Sequence, residues 1–353
     1  MEPRRGRQQP GGSALAGRAL SAPALAVGFD PPGWLHNAHL QSTLDSLPPR
    51  RGWARRRARA LLDGAQELLL ECGEGVRLQG HYTAPPPLGA GPVAPRLAVL
   101  LHGWEGSAES SQVLSVGALL HARGYGVVRL NLRDHGATHH LNREIFHSCR
   151  LPEVVGALCA LRARFPAARL YLAGYSLGGN FVLRAAAYPE APAGIACAVA
   201  VSPVLDPAAT LLAMERAWPL YRRFFVRHWS ASLRRKQRAW PQVHDFEPVL
   251  RLADLRAMTA ALVRTTTDFP SLAAYLNGYA LTGSSLAQLH VPAWLLLADD
   301  DPIIPPADLA RLARPAGLSI LRSRFGGHCG FIDDLRGPSF ADRLILEQFE
   351  RHV

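Results

Sequence analysis

Leu170-Tyr171-Leu172-Ala173-Gly174-Tyr175-Ser176-Leu177-Gly178-Gly179 joins a short apolar run to a run with helical spacing. Leu170–Ala173 reads as a buried strand, and Leu177–Tyr188 as a helix. Between them stands G-x-S-x-G. A strand that turns sharply into a helix pushes the central side chain out of the sheet top, and only small neighbours let the backbone fold so tightly. A tight turn with an incidental serine is the plainer alternative. The strand before and the helix after favour an exposed, reactive Ser176.

Moving outward, the same alternation continues on both sides. Glu67–Cys72 and Val76–Thr83 read as a hairpin around Gly73 and Gly75. A Pro/Gly-rich loop, Pro85–Pro95, leads to the strand Leu97–Leu101. The helix Ser111–Arg123, the strand Gly126–Leu130 and the helix Pro152–Phe165 precede the quoted stretch. The strand Ile195–Val201 follows it. The rhythm stops at Pro207 and resumes with the strand Ala293–Ala298, the helix Ala307–Leu312, the strand Leu318–Ser323 and the helix Phe340–Glu350. Alternating strands and helices mean βαβ units on a mostly parallel sheet with helices on both faces. The expected organisation is an N-terminal extension with a basic segment (1–60), a first core part (61–206), a helical cap insertion (207–290) and a second core part (291–353).

A serine hydroxyl needs a base, and a base of this kind needs an acid, in the chain order Ser…Asp…His. His328, in Gly326-Gly327-His328-Cys329-Gly330, follows the last strand and is the candidate base. Asp299-Asp300-Asp301 follows the preceding strand. Asp301, directly before Pro302-Ile303-Ile304-Pro305, is the preferred acid, with Asp300 as the alternative or as a cap of that turn. Asp333 and Asp334 come after the histidine and fit less well. Two backbone N–H groups should hold the oxyanion, from Leu177 after the serine and from Trp104 in His102-Gly103-Trp104-Glu105-Gly106. Asp134 and His135 end a strand at the same sheet edge and read as turn-stabilising groups.

Composition limits the partners. The chain has 353 residues, 48% of them apolar, which excludes wholesale disorder. No apolar run approaches the roughly 18–20 residues of a membrane span. Five cysteines, an odd number without a C-x-x-C pair, argue against a disulfide framework or zinc site and for a reducing, cytoplasmic setting. Residues 1–28 read as a flexible tail, with a targeting segment as the alternative.

The net charge is +11, and Lys236 is the one lysine. From Arg216 to Arg238 there are eight basic residues and no acidic one, interleaved with Trp218, Tyr221, Phe224, Phe225 and Trp229. Trp218, Tyr221, Phe225 and Trp229 share one helical face. Two readings stay open: a cap helix that buries its aromatics on the core, or peripheral contact with an anionic membrane surface. A second basic run, Arg50 to Arg59, lacks any nucleic-acid-binding module, so no nucleic acid is expected as a partner.

Taken together, these motifs resemble the α/β-hydrolase superfamily, and within it the YheT-like family (AB hydrolase type 4). Phe29-Asp30-Pro31 with Asn37-Ala38-His39-Leu40-Gln41 looks like that family's N-terminal signature. His102-Gly103-Trp104-Glu105-Gly106-Ser107 looks like its oxyanion loop, and Gly174–Asn180 is similar to its nucleophile elbow. The resemblance runs from about Phe29 to the C-terminus. It implies an α/β-hydrolase fold with Ser176, Asp301 and His328 at the charge-relay positions. It also implies a serine carboxylester hydrolase of acyl or lipid esters that needs no cofactor or metal. An alcohol acyltransferase using the same triad, suggested by H-x4-D at His328–Asp333, and a non-catalytic binding protein are the alternatives. Phe146-His147-Ser148-Cys149 departs from the family pattern, where a glycine is expected at Cys149. Eukaryotic relatives carry an N-terminal membrane anchor, so the resemblance is to the soluble bacterial type.

Overall fold

The computed structural model describes residues 24–87, 95–217 and 219–353. Most of the 1–28 tail, part of the Pro85–Pro95 loop and Trp218 lie outside the described residues.

Among the described residues nine strands form one sheet: β1 (Leu25–Ala26), β2 (Ala65–Glu71), β3 (Arg77–Thr83), β4 (Arg96–Leu101), β5 (Gly126–Leu130), β6 (Arg169–Tyr175), β7 (Ile195–Val201), β8 (Ala293–Ala298) and β9 (Leu318–Ser323). Their spatial order is β1-β9-β8-β7-β6-β4-β5-β3-β2. Only the β2–β3 and β3–β5 pairs are antiparallel. The central strands β4 to β8 are nearly all apolar and buried, because helices cover both faces and leave no wet side. Parallel strands put their C-terminal ends on one edge. The loops after β4, β6, β8 and β9 therefore open on the same rim.

The helices are α1 (Ala38–Leu44), α2 (Pro48–Arg57), α3 (Arg59–Asp63), α4 (Ser111–Ala122), α5 (Leu151–Arg164), α6 (Leu177–Ala186), α7 (Pro207–Arg216), α8 (Pro219–Ala239), α9 (Glu247–Leu250), α10 (Leu255–Thr266), α11 (Leu272–Asn277) and α12 (Phe340–Glu350). Helices α7 to α11 form the insertion between β7 and β8. Their starts are locally encoded. Asp206, Asp254 and Ser271 accept backbone N–H bonds at the N-termini of α7, α10 and α11. A reciprocal Ser339–Asp342 capping box opens α12.

Two local readings change. Leu25–Ala26, expected in a tail, extends the sheet by pairing in parallel with β9. Two residues are too short a run for a periodic signal. Ala307–Leu312, expected as a helix, is a 3-10 turn over Pro306–Arg311. Pro305 and Pro306 supply no N–H, and the bonds that remain span three residues, as from Asp308 N–H to the Pro305 carbonyl at 3.1 Å. Part of the Arg50–Arg59 run is tied into the fold, while Arg51, Arg55, Arg56 and Arg59 are exposed on α2 and α3. Arg50 is 2% exposed, pairs with Asp45 and donates to the carbonyls of Asp334 and Leu335. Arg57 donates to the Ser115 hydroxyl at 2.9 Å.

Candidate active site

The quoted stretch forms the turn that its glycines demand. β6 ends at Tyr175, α6 starts at Leu177, and Ser176 between them has φ 53° and ψ −119°. A side chain rarely tolerates positive φ, and such strain concentrates at functional positions. Gly174 makes the turn possible, because a Cβ there would overlap the Gly178 carbonyl, and Gly178 lets the end of β4 come close, because a Cβ there would overlap the carbonyls of His102 and Leu101.

His328 and Asp301 meet Ser176 at this rim. The Ser176 hydroxyl lies 2.9 Å from His328 Nε2, and His328 Nδ1 lies 3.0 Å from Asp301 Oδ2. The carboxylate fixes the tautomer: Nδ1 carries the proton it donates, so Nε2 presents a lone pair to the serine. Burial disfavours a charged His328, but Asp301, with a contribution from Cys329, raises its pKa well above the ordinary histidine value. The Asp301 side chain is fully buried.

The aspartate triplet divides its work. Asp301 Oδ2 faces the imidazole, while its Oδ1 accepts N–H bonds from Ile303 and Ile304 at 2.8 and 2.9 Å. The turn-capping role considered for Asp300 thus belongs to Asp301. Asp300 Oδ1 instead accepts the Gly327 N–H at 2.9 Å, tying down the histidine loop. Asp299 binds Arg322 at the surface. Asp333 is held by Arg343, and Asp334 accepts the Arg336 N–H, so neither faces the imidazole within hydrogen-bonding distance.

The loop after β4 packs closely over the elbow; a Cβ on Gly103 would lie 3.2 Å from Ser176 Cβ. The Trp104 and Leu177 N–H groups have no acceptor among the described residues. Two buried histidines shape this loop. His102 Nδ1–H donates to the Gly103 carbonyl at 2.7 Å, and its Nε2 accepts the Leu132 N–H at 3.2 Å. His135 Nδ1–H donates to the Arg133 carbonyl, and its Nε2 accepts the Glu105 N–H at 3.1 Å. Burial lowers the pKa of both, that of His102 to about 4, so each stays neutral and keeps an acceptor nitrogen. Asp134 accepts the Phe146 N–H at 2.8 Å and pairs with Lys236.

The histidine loop is supported by Gln41, from the N-terminal signature, and by Ser42 directly after it. Gln41 is fully buried; its amide donates to the Leu35 and Ile332 carbonyls and accepts the Ile332 N–H. The Ser42 hydroxyl accepts the His328 N–H at 2.8 Å. Gly327, at φ 52°, lies so close to α1 that a Cβ would overlap the Ala38 carbonyl. The Asn37–Gln41 signature is therefore the seat of the histidine loop. From the other side, α8 packs on the loop after β4. The Trp104 ring stacks on Phe225, centroids 5.5 Å apart, and meets Trp229 edge-on at 5.1 Å.

Residues 98–335 match the family model of the alpha/beta hydrolase fold. The chain belongs to the alpha/beta hydrolase fold family. Within that family it is similar to the putative esterase YheT of Escherichia coli K12, with 27% identity over 67% of this chain and 71% of the relative. It is also similar to human protein ABHD15, with 26% identity over 96% of this chain and 72% of the relative. These relatives meet the resemblance to YheT-like hydrolases seen in the motifs. Among solved structures, an esterase of Pyrococcus furiosus superposes with a TM-score of 0.54 at 13% identity, covering 82% of this chain and 92% of that one. A membrane phospholipase A superposes with a TM-score of 0.51 at 16% identity, covering 89% and 94%. At these identities the superpositions speak for the hydrolase fold alone. Among the described residues, no helix is long and apolar enough to cross a membrane.

Proposed function

We propose that this chain is a serine carboxylester hydrolase acting on short- to medium-chain acyl esters or lipid esters. The observation that carries the reading is the unbroken hydrogen-bonded chain from Ser176 through His328 to Asp301, set on a strained elbow. Ser176 Oγ attacks the ester carbonyl as His328 Nε2 takes its proton. The tetrahedral oxyanion receives N–H bonds from Trp104 and Leu177, donors of a kind that are each worth about 3–4 kcal/mol when deleted. His328 returns the proton to the leaving alcohol, which departs as the carbonyl re-forms on Ser176. Water, deprotonated by His328, then attacks the acyl-enzyme and releases the acid. Asp301 holds the imidazole and balances its transient positive charge. The name of the Escherichia coli relative, a putative esterase, agrees with this chemistry.

A series of p-nitrophenyl esters from acetate to palmitate tests the reading. Turnover should peak within the short- to medium-chain range and disappear after Ser176→Ala. Equal turnover by the Ser176→Ala protein would refute it.

A further inference from the structure

Helix α8 has two faces with opposite tasks. Its inner face carries Phe225 and Trp229 onto Trp104, and Tyr221 Oη lies 3.4 Å from His39 Nδ1 beside the histidine loop's seat on α1. The aromatic face is thus spent on the protein and is not available for insertion into lipid. The outer face carries Arg223, Arg227, Arg234 and Arg238, all exposed. Their spacing of four, seven and four puts the four guanidinium stems within an arc of about 60° and along about 22 Å of helix. Some arginines elsewhere on the surface are neutralised, Arg311 by Asp206 and Asp308, Arg322 by Asp299 and Arg351 by Glu347, while others, such as Arg51, Arg56 and Arg59, stand exposed without an acidic partner among the described residues but in no such row. Among the described residues none of the four outer arginines of α8 has such a partner, and α8 holds no acidic residue. Phe224, 47% exposed, stands beside this stripe with its ring 4.0 Å from that of His228.

We propose that the outer face of α8 docks the protein onto an anionic lipid bilayer. A straight row of unneutralised arginines fits a plane of phosphate headgroups, and guanidinium binds phosphate through paired N–H donors. Phe224 adds one apolar side chain at headgroup depth. A nucleic acid fits less well, because the stripe has one exposed ring where a stacking platform needs a succession of them. The contact is electrostatic and peripheral. It places the plane of lipid against the helix that packs on Trp104. The supply of lipid esters to Ser176 follows only if the ester-hydrolase reading holds; the docking itself does not depend on it.

The test uses the full chain with Ser176→Ala, so that nothing is hydrolysed, and vesicles of phosphatidylcholine alone or with one-third phosphatidylglycerol. Co-sedimentation should occur with the anionic vesicles, fade with added salt, and weaken at least about tenfold when the four arginines are changed together to Glu. The Arg→Gln quadruple variant should fall between. With Ser176 restored, both variants should hydrolyse a water-soluble short ester like the parent, which shows that they fold. Unchanged vesicle binding by the Glu variant overturns the proposal. So does absence of vesicle binding together with arginine-dependent binding of single-stranded RNA. Vesicle binding by a protein without esterase activity would sink the catalytic reading and leave the docking intact.

Discussion

Asp301→Asn is expected to cut kcat on a p-nitrophenyl ester by about ten-thousand-fold with little change in KM. An amide in place of the carboxylate stabilises the wrong imidazole tautomer and gives no support to its positive charge. Asp300→Asn keeps an oxygen for the Gly327 N–H and should cost less than about tenfold, in line with one altered hydrogen bond. The pair of variants therefore separates two aspartates that are neighbours in sequence. The pH profile carries a further signature. The reaction needs neutral His328, so kcat/KM should fall as pH drops through the His328 pKa, and Asp301 raises that pKa. Removing the carboxylate should move the acid limb to lower pH. An acid limb that stays in place in Asp301→Asn would show that another group governs it.

Lys236→Met is expected to destabilise the fold by about 3–5 kcal/mol, read from the shift of the urea midpoint. Lys236 is 1% exposed and lies on the inner side of α8. Its ammonium donates to Asp134 Oδ1 at 2.8 Å and to the carbonyls of His139 and Asn142. Losing it strands the Asp134 carboxylate in the interior, where burial already raises its pKa. Trp240 Nε1–H also donates to the His139 carbonyl at 3.0 Å, so the C-terminal half of α8 is fastened to the loop after β5. The double variant Lys236→Met with Asp134→Asn should recover part of the loss, since Asn still accepts the Phe146 N–H without a charge. If the double variant is less stable than Lys236→Met alone, the stranded charge is not the cause.

The parts of this molecule that were legible in the sequence are those with local causes. Apolar runs of strand length, the glycines around Ser176 and the strand-to-helix context locate the elbow, because a turn that tight excludes most side chains. Asp301 and His328 are legible through chain order, since each follows a strand that must end at the same rim. The division of labour in the aspartate triplet is not, because capping and imidazole contact depend on a turn that only the folded loop defines. The role of Gln41 and Ser42 was also hidden. They act on a loop nearly three hundred residues away, and no periodicity reports a contact at that distance. The resemblance picked out Asn37–Gln41 as a signature but gave no reason for it; the reason is the close approach of α1 to Gly327. Likewise, the spacing of Tyr221, Phe225 and Trp229 announced an apolar face, whereas its target, Trp104, emerged only from the packing of the insertion. Lys236 stood out as the one lysine of the chain. Nothing in its basic surroundings indicated that it would be buried while the arginines beside it remain in solvent.

The central claim is that the Ser176 hydroxyl is a nucleophile activated by His328. Intact-protein mass spectrometry after treatment with a fluorophosphonate, followed by peptide mapping, tests it most directly. The prediction is one phosphonyl group per chain, on the peptide that contains Ser176, with no adduct on Ser176→Ala and much slower labelling of His328→Ala. An adduct on another residue, or equal labelling of the Ser176→Ala protein, would contradict it.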